Sequence, residues 1–143
     1  MQWRSVMGKF SAQEVGFLQE HLLGRLATSG KSGKPHVVPI RYHFDPDREV
    51  IKIGGRSLEG RGQERLYVRH LRVNPQAALV VDDVPDEQAW QPRGILIKGR
   101  RSCIRRVGGE ALGPGFGPNW VEVAPDFVTS WGIETPALPA HRS

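Results

Sequence analysis

The chain has 143 residues, 38% of them hydrophobic, a size that suits one domain with its own core. Its formal net charge of +5 indicates an anionic partner, which would be a nucleic acid, an acidic membrane or a phosphorylated small molecule. The single cysteine, Cys103, excludes an intrachain disulfide, and without a secretory pattern or an apolar run of membrane-spanning length we expect a reduced, cytoplasmic protein.

A capping-box pattern marks the first helix. Ser11 stands at the N-cap and Glu14 three residues later, the spacing at which each side chain bonds the other's backbone N–H. We predict a helix over 12–23 that ends at Gly24. Its apolar positions recur at helical spacing: Val15, Leu18 and Leu22.

A β-hairpin and a third strand come next. Residues 25–29 and 35–44 flank a glycine-bounded turn at 30–33, which is typical of two paired strands. Alternation in the second strand predicts one face with Val38, Ile40, Tyr42 and Phe44 and another with Pro39, Arg41 and His43. The third strand, 50–53, ends at Gly54 and Gly55.

The second half of the chain mixes one helix with further strands. We predict a helix over 63–73, stopping before Asn74 and Pro75, with Leu66, Tyr67, Leu71 and Val73 facing inward. Strands are predicted at 77–81, 94–104, 120–123 and 127–133, with loops at 82–92 and 107–118. Six or seven strands with hairpin-type connections favour an antiparallel barrel over a doubly wound sheet. We expect one domain over 1–134 and a disordered tail over 135–143.

Six stretches, in this order, carry a resemblance to a known family. They are residues 24–28 (GRLAT), 33–39 (GKPHVVP), 50–55 (VIKIGG), 74–83 (NPQAALVVDD), 92–99 (PRGILIKG) and 130–133 (SWGI). Together they resemble the pyridoxamine 5'-phosphate oxidase-like split-barrel flavin and deazaflavin oxidoreductases. The sequence looks most similar to the actinobacterial branch associated with the deazaflavin F420.

This resemblance implies both an architecture and an activity. The expected fold is mainly β, a six-stranded antiparallel split β-barrel with a few short helices. The expected assembly is a homodimer with a cofactor in each groove between the subunits. The expected cofactor is F420, with FMN as the alternative, and hydride would pass between its ring and a small-molecule substrate. A cofactor-binding protein without turnover remains a third interpretation.

The family ring lies against the strand that here contains Val38, Pro39 and Ile40. Because proline cannot donate to a β-ladder, Pro39 belongs at an edge or a bulge, where unpaired backbone could bond the ring. The following strand adds candidate contacts at its end: Lys52, Ile53, Gly54 and Gly55. Glycines there let backbone approach a planar ring or phosphate closely, and Lys52 either reaches a cofactor oxygen or is an ordinary exposed lysine.

Arginines form a stripe on the second predicted helix. Those at 61, 65, 69 and 72 fall within about 80° of one another at about 100° per residue. The stripe could neutralise the phosphodiester and oligoglutamate tail of F420 or the phosphate of FMN, or it is a solvated helix face. The resemblance favours Arg65 and Arg69 as ligands. Tyr67 departs from the family pattern, which has a basic residue eight positions before Pro75.

Other candidate chemistry is limited. Trp131 and Trp90 could shield a ring from water, although aromatic residues in small barrels more often belong to the core. The five histidines and Cys103 show no metal-ligand spacing, and no nucleophile–base pair is evident, so we assign no catalytic side chain. This pattern suits hydride transfer, where the cofactor carries the chemistry. A nucleic-acid partner is disfavoured because no aromatic residues alternate with the basic stripe.

Overall fold

The structure is a computed structural model that describes residues 2–5, 10–54, 59–60, 63–106, 108, 112 and 119–133. Its two helices are α1 (Ala12–Glu20) and α2 (Leu66–Val73). Its strands are β1 (Gln2–Ser5), β2 (Leu23–Ser29), β3 (Pro35–Asp45), β4 (Val50–Ile53), β5 (Glu59–Gly60), β6 (Gln63–Glu64), β7 (Ala77–Asp83), β8 (Arg93–Gly99), β9 (Cys103–Arg105), β10 (Trp120–Val123) and β11 (Phe127–Trp131). No described helix is long and apolar enough to cross a membrane.

One antiparallel sheet organises the fold. Its order is β1-β11-β8-β7-β2-β3-β4-β10-β9, and β5 and β6 form a separate small pair. Strand β3 belongs to both halves of the sheet, because residues 35–41 pair with β2 and residues 42–45 pair with β4. The predicted mainly-β, antiparallel class is therefore confirmed, whereas the main sheet contains nine strands among the described residues instead of six.

Specific contacts explain why the main sheet has more strands than predicted. The strand predicted over 94–104 is wrong as one element, because the chain leaves the β8 ladder after Gly99. The backbone N–H of Arg100 donates to the Asp126 carboxylate (2.6 Å), and that of Ser102 donates to the Pro75 carbonyl (2.8 Å). These bonds turn the chain so that β9 pairs with β10 instead. Strand β1 pairs with β11 and carries no alternation that would have revealed it.

Inward-facing side chains from both halves of the sheet meet in one core. Along β3 the buried residues are Ile40, Tyr42 and Phe44, as the alternation predicts, while Pro39, Arg41 and His43 are exposed. They join the fully buried residues of neighbouring strands, which include Leu26, Ile51, Ile53, Leu79, Ile97 and Val121. The hydroxyl of Tyr42 donates to the Leu18 carbonyl (2.6 Å), which ties α1 to this core, and burial raises the pKa of Tyr42.

Helix α1 begins as predicted and ends early. The Glu14 N–H donates to Ser11 Oγ (3.1 Å) and the Ser11 N–H donates to Glu14 Oε1 (3.0 Å), so the capping box is confirmed. The helix stops at Glu20 instead of residue 23. Gly24 is not its end but a buried position in β2, where an added Cβ would lie 2.9 Å from a Leu79 methyl group. Strand pairing in this segment therefore prevails over helix propagation.

Helix α2 is shorter than the predicted 63–73 and exposes part of its expected inner face. Residues 63–64 pair with 59–60, so the helix begins at Leu66, and it ends before Asn74 as predicted. Tyr67, Val68 and Leu71 are buried, but Leu66 and Val73, predicted to face inward, are 39% and 53% exposed. The tail over 135–143 and most of the loop over 107–118 lie outside the described residues.

Candidate active site at the free edge of strand β3

The first half of β3 has an edge without a partner strand among the described residues. Residues 35–41 pair with β2 on one side, and β4 pairs only from Tyr42 onward. On the side that faces away from β2, Val37 and Pro39 therefore have backbone groups without a ladder partner among the described residues. Such groups need another partner, which a ligand with matching donors and acceptors can supply.

Alternation identifies which backbone groups face this edge. The Tyr42 N–H donates to the Leu22 carbonyl (3.1 Å), so Tyr42 directs its backbone groups toward β2. In an antiparallel strand every second residue does the same, which turns the backbone of Val37, Pro39 and Arg41 the other way. Both prolines of β3, at 35 and 39, occupy this outward register, where no ladder bond is lost. The predicted edge position of Pro39 is confirmed.

The side chains of the predicted ring-contacting residues differ in their accessibility. Val38 is half-buried, Pro39 is exposed, and Ile40 is buried in the core. Ile53, opposite Tyr42 in the β3–β4 ladder, is fully buried as well. The side chains of Ile40 and Ile53 are thus closed to a ligand, and Ile40, in the register of Tyr42, turns its backbone groups toward β2. Their predicted contacts with the ring stay predictions.

The end of β4 lies where the free edge begins. Gly54 follows Ile53 directly, so its backbone is next to the point where β3 loses its β4 partner. Gly54 is buried and Gly55 lies outside the described residues. The position of Gly54 suits close approach of a ligand to the main chain, and the role of Gly55 stays a prediction.

Helix α2 packs near the start of β3, at the end opposite Gly54. The rings of His36, on β3, and His70, on α2, lie 5.7 Å apart at right angles, and His70 Nδ1 is 2.9 Å from Thr28 Oγ1. The side-chain amide of Asn74 donates to Ser29 Oγ (3.1 Å) and extends the contact to the end of β2. Sequence reasoning missed this docking, although a threonine at an inward position of β2 signals a buried hydrogen-bond partner.

Docking of α2 leaves its basic face in solvent. Arg65 at the N-cap and Arg69 one turn later are both exposed, and no hydrogen bond to another described residue engages either guanidinium. The Arg69 charge is near enough to His70 to lower the pKa of that imidazole, together with burial, which is the larger cause, and His36. Arg69 therefore lies near the corner formed by β3 and α2, and its role as a cofactor ligand, like that of Arg65, stays a prediction.

Lys52 is engaged by residues of its own chain, and its role as a cofactor contact stays a prediction. Its ammonium group lies 3.2 Å from the Asp45 carboxylate and 5.0 Å from the centre of the Trp120 ring, on the outer face of β4. Its cross-strand neighbour Glu122 is buried and accepts two hydrogen bonds from Arg48 (2.9 and 3.2 Å). Lys52 is thus part of a charged network across β3, β4 and β10 and is directed away from the core.

Within one chain, the tryptophans predicted to cover a ring, Trp131 and Trp90, are not placed at the free edge of β3. Trp131 lies on β11 and packs across Gly94 of β8. Strands β8, β7 and β2 separate β11 from β3, which is about 19 Å at about 4.8 Å per strand. Trp90 is 69% exposed in the loop before β8.

The outer face of the sheet between β3 and β8 mixes apolar and charged side chains. Leu23 and Val37 are 57% and 65% exposed, and Ala27, Ala78, Val80 and Leu96 share this face with the ion pair of Arg25 and Asp82 (2.7 Å). A groove of about 430 Å³ lies at one end of this face, lined by Ala27, Ala78, Lys98, Arg100 and Phe127 among others. Exposed apolar side chains beside such a groove are candidates for contact with another molecule.

The described residues contain no group of three or more His, Cys, Asp or Glu side chains that could hold a metal ion. Site chemistry in this part of the chain therefore rests on backbone groups, arginines and the two histidines.

Comparisons with known proteins agree with this architecture. A family model described as pyridoxamine 5'-phosphate oxidase matches residues 10–111. A 5a,11a-dehydrotetracycline/5a,11a-dehydrooxytetracycline reductase of Streptomyces rimosus is 34% identical over 125 residues, which cover 87% of this chain and 84% of that protein.

Solved structures share the fold at lower identity. An FAD binding protein from Mycobacterium smegmatis has a TM-score of 0.59 and 20% identity, with 85% of this chain and 96% of that chain covered. An F420 reductase has a TM-score of 0.59 and 22% identity, with 80% and 94% covered. The family match spans most of the chain and the free strand edge lies within it, so this protein belongs to the pyridoxamine 5'-phosphate oxidase family.

Proposed function

We propose that a homodimer of this chain is an F420-dependent reductase that transfers hydride from the reduced deazaflavin to a small unsaturated molecule. The family match and the reductase relative support an oxidoreductase, and the F420 reductase of the same fold favours the deazaflavin. The FAD binding protein of the same fold keeps a flavin, FMN, as the alternative cofactor. The observation that carries the proposal is the unpaired edge of β3.

The residues at this edge fit a flat ring with an amide-type rim. Val37 offers a backbone N–H and carbonyl, and Pro39 offers a carbonyl but no N–H, which makes one donor and two acceptors. The pyrimidine portion shared by flavins and deazaflavins carries an N–H between two carbonyls, which can bond to a donor and an acceptor of such an edge. Backbone contacts of this type hold either ring equally well, so other residues must decide between F420 and FMN.

The charged tail of the cofactor would extend toward α2. Arg65 and Arg69 are exposed, lie on one face of the helix and have no carboxylate partner among the described residues. Guanidinium groups bind phosphate through paired, charge-assisted hydrogen bonds. The net charge of +5 favours the same anionic ligand over longer distances.

When bound, the cofactor supplies the hydride. The chain would orient the ring through the β3 edge, neutralise the tail through Arg65 and Arg69, and exclude water with its apolar surface. We assign no side chain to the chemical step itself.

A second subunit would complete this site. Leu23 and Val37 expose too much apolar surface for a face in water, and this face continues into the groove beside Pro35. Packing two such faces together would bury that surface and bring Trp131 of the second copy toward the ring. The groove would then hold the substrate next to the cofactor.

Cofactor binding tests the proposal directly. The absorbance spectrum of the purified protein and fluorescence titrations with F420 and FMN would identify the ligand. We expect Arg65→Ala and Arg69→Ala each to weaken F420 binding about tenfold, since a charge-assisted hydrogen bond contributes about 1.5–3 kcal/mol. Arg101→Ala, an equally exposed arginine beyond the other end of α2, is the matched control.

Turnover and assembly complete the test. The first acceptors to assay with reduced F420 are 5a,11a-dehydrotetracycline and its oxy analogue, the compounds named in the relative. Tight binding without turnover of any acceptor would indicate a carrier instead. Sedimentation analysis should give a dimer that Val37→Lys dissociates. A monomeric wild-type protein that binds neither F420 nor FMN would refute the proposal.

A further inference from the structure

Two histidines from separate elements meet at the corner between β3 and α2. His36 and His70 are both half-buried, with ring centres 5.7 Å apart at right angles. The β2–β3 turn packs directly on the second ring, because a Cβ added at Gly30 would lie 2.8 Å from His70 Cδ2. The imidazole of His70 therefore cannot shift far toward β2 when its surroundings change.

The hydrogen bond to Thr28 suits either protonation state of His70. A hydroxyl donates to a neutral Nδ1 and accepts from a protonated one, so the 2.9 Å contact survives the gain of a proton. The packing of the corner is thus compatible with both forms, and the electrostatic surroundings decide which one predominates.

Those surroundings are basic or neutral. The groups that face His70 are His36 from β3, Arg69 from α2, and the Thr28 hydroxyl with the Gly30 backbone from β2 and its turn. Burial lowers the pKa of His70 most, and His36 and Arg69 lower it further. No described carboxylate contributes, so the corner lacks the negative charge that would hold a proton there.

We propose that His36 and His70 are the proton-linked part of an anion site, so that a phosphate-type anion bound beside Arg69 is taken up together with a proton. The natural ligand would be the phosphate group of the cofactor, and only this identification rests on the proposed function. The anion replaces the missing negative charge and favours the imidazolium form. By linkage, anion affinity then rises as the pH falls.

The expected size follows from ordinary ion-pair effects. An opposite charge at about 4–6 Å shifts a pKa by about 1–3 units, and each unit corresponds to about tenfold in affinity. For a shift of one unit, anion binding should therefore be about five- to tenfold tighter at pH 5.5 than at pH 8, and more for a larger shift, for an anion that does not itself titrate in this range.

The test uses sulfate, which keeps its charge over this pH range. Imidazole resonances of the full-length protein would be titrated by NMR in sulfate and in chloride at equal ionic strength. We expect the pKa of His70 to rise by about one unit or more in sulfate. His43, exposed on the outer face of β3, is the internal control and should not respond. An equal response of all three, or none, would overturn the inference.

Variants separate this inference from the proposed function. His70→Gln retains a hydrogen-bonding group for Thr28 and should reduce the pH dependence of sulfate binding to less than about twofold, whereas His43→Gln should not. If F420 binds but sulfate moves neither histidine, the inference fails and the function stands. If sulfate moves the histidines and no redox cofactor binds, the function fails and the proton-linked site stands.

Discussion

Replacing Glu14 by alanine tests the tie between α1 and the sheet. This carboxylate is fully buried; it accepts from the Ser11 N–H (3.0 Å) and from the hydroxyl of Ser130 on β11 (2.7 Å). Loss of the capping interaction costs about 0.5–2 kcal/mol, and the buried Ser130 hydroxyl left without its acceptor costs about 1–3 kcal/mol. We expect Glu14→Ala to lower the free energy of unfolding by about 2–4 kcal/mol.

Urea unfolding at fixed protein concentration measures this change, with the dependence on urea expected to stay constant. Glu14→Gln is the matched variant, because its amide oxygen still accepts from Ser11 and the Ser130 hydroxyl can turn to accept from its N–H. That variant should lose about 1 kcal/mol or less. A loss below about 1 kcal/mol for Glu14→Ala, or equal losses for both, would show that the carboxylate does not hold α1 to β11.

Two glycines and one ion pair give further predictions. Gly99→Ala should destabilise the protein by about 1–3 kcal/mol, because its Cβ would lie 2.6 Å from the Ala124 carbonyl oxygen; an unchanged urea midpoint would contradict that collision. Gly16→Ala, in α1 with nothing within 4 Å, should stabilise by about 0.5–1 kcal/mol, and any loss would show that the glycine is needed. Hydrogen bonds from Arg93, and to a lesser degree from His21, hold the pKa of Asp83 below its usual range against burial. Because a lowered folded-state pKa stabilises above the unfolded value and is lost in acid, the stability advantage of wild type over Asp83→Asn should be constant from pH 5 to 8 and shrink below about pH 4. An advantage that persists at pH 2 would refute this assignment.

Local patterns predicted most of the elements. The capping box at Ser11 and Glu14, the hairpin around residues 30–33 and the strand 50–53 agree with the structure, because each depends on residues close together in the chain. The errors fall where distant groups compete. Gly24 belongs to a strand because β3 and β7 pair on either side of it, and the segment after Gly99 turns because Asp126 and Pro75 bond its backbone.

The candidate site shows the same difference between features set by nearby residues and features set by distant contacts. Proline at 39 indicated an edge, since a proline cannot donate to a ladder in any fold, and the arginines at 65 and 69 indicated an exposed basic face. The sequence did not reveal that Lys52 is engaged by Asp45, because their contact depends on how β3 and β4 lie against each other.

By itself, the sequence determined the mainly β class, the inner face of β3 and an exposed basic face on α2, since periodicity and side-chain chemistry are properties of the chain alone. Only the tertiary structure decided which backbone edge stays unpaired, that Thr28 and His36 meet His70, and that Trp131 lies on a strand remote from β3. These depend on which distant strands pair, a choice made by burial of the shared core and by backbone hydrogen bonds between segments far apart in sequence.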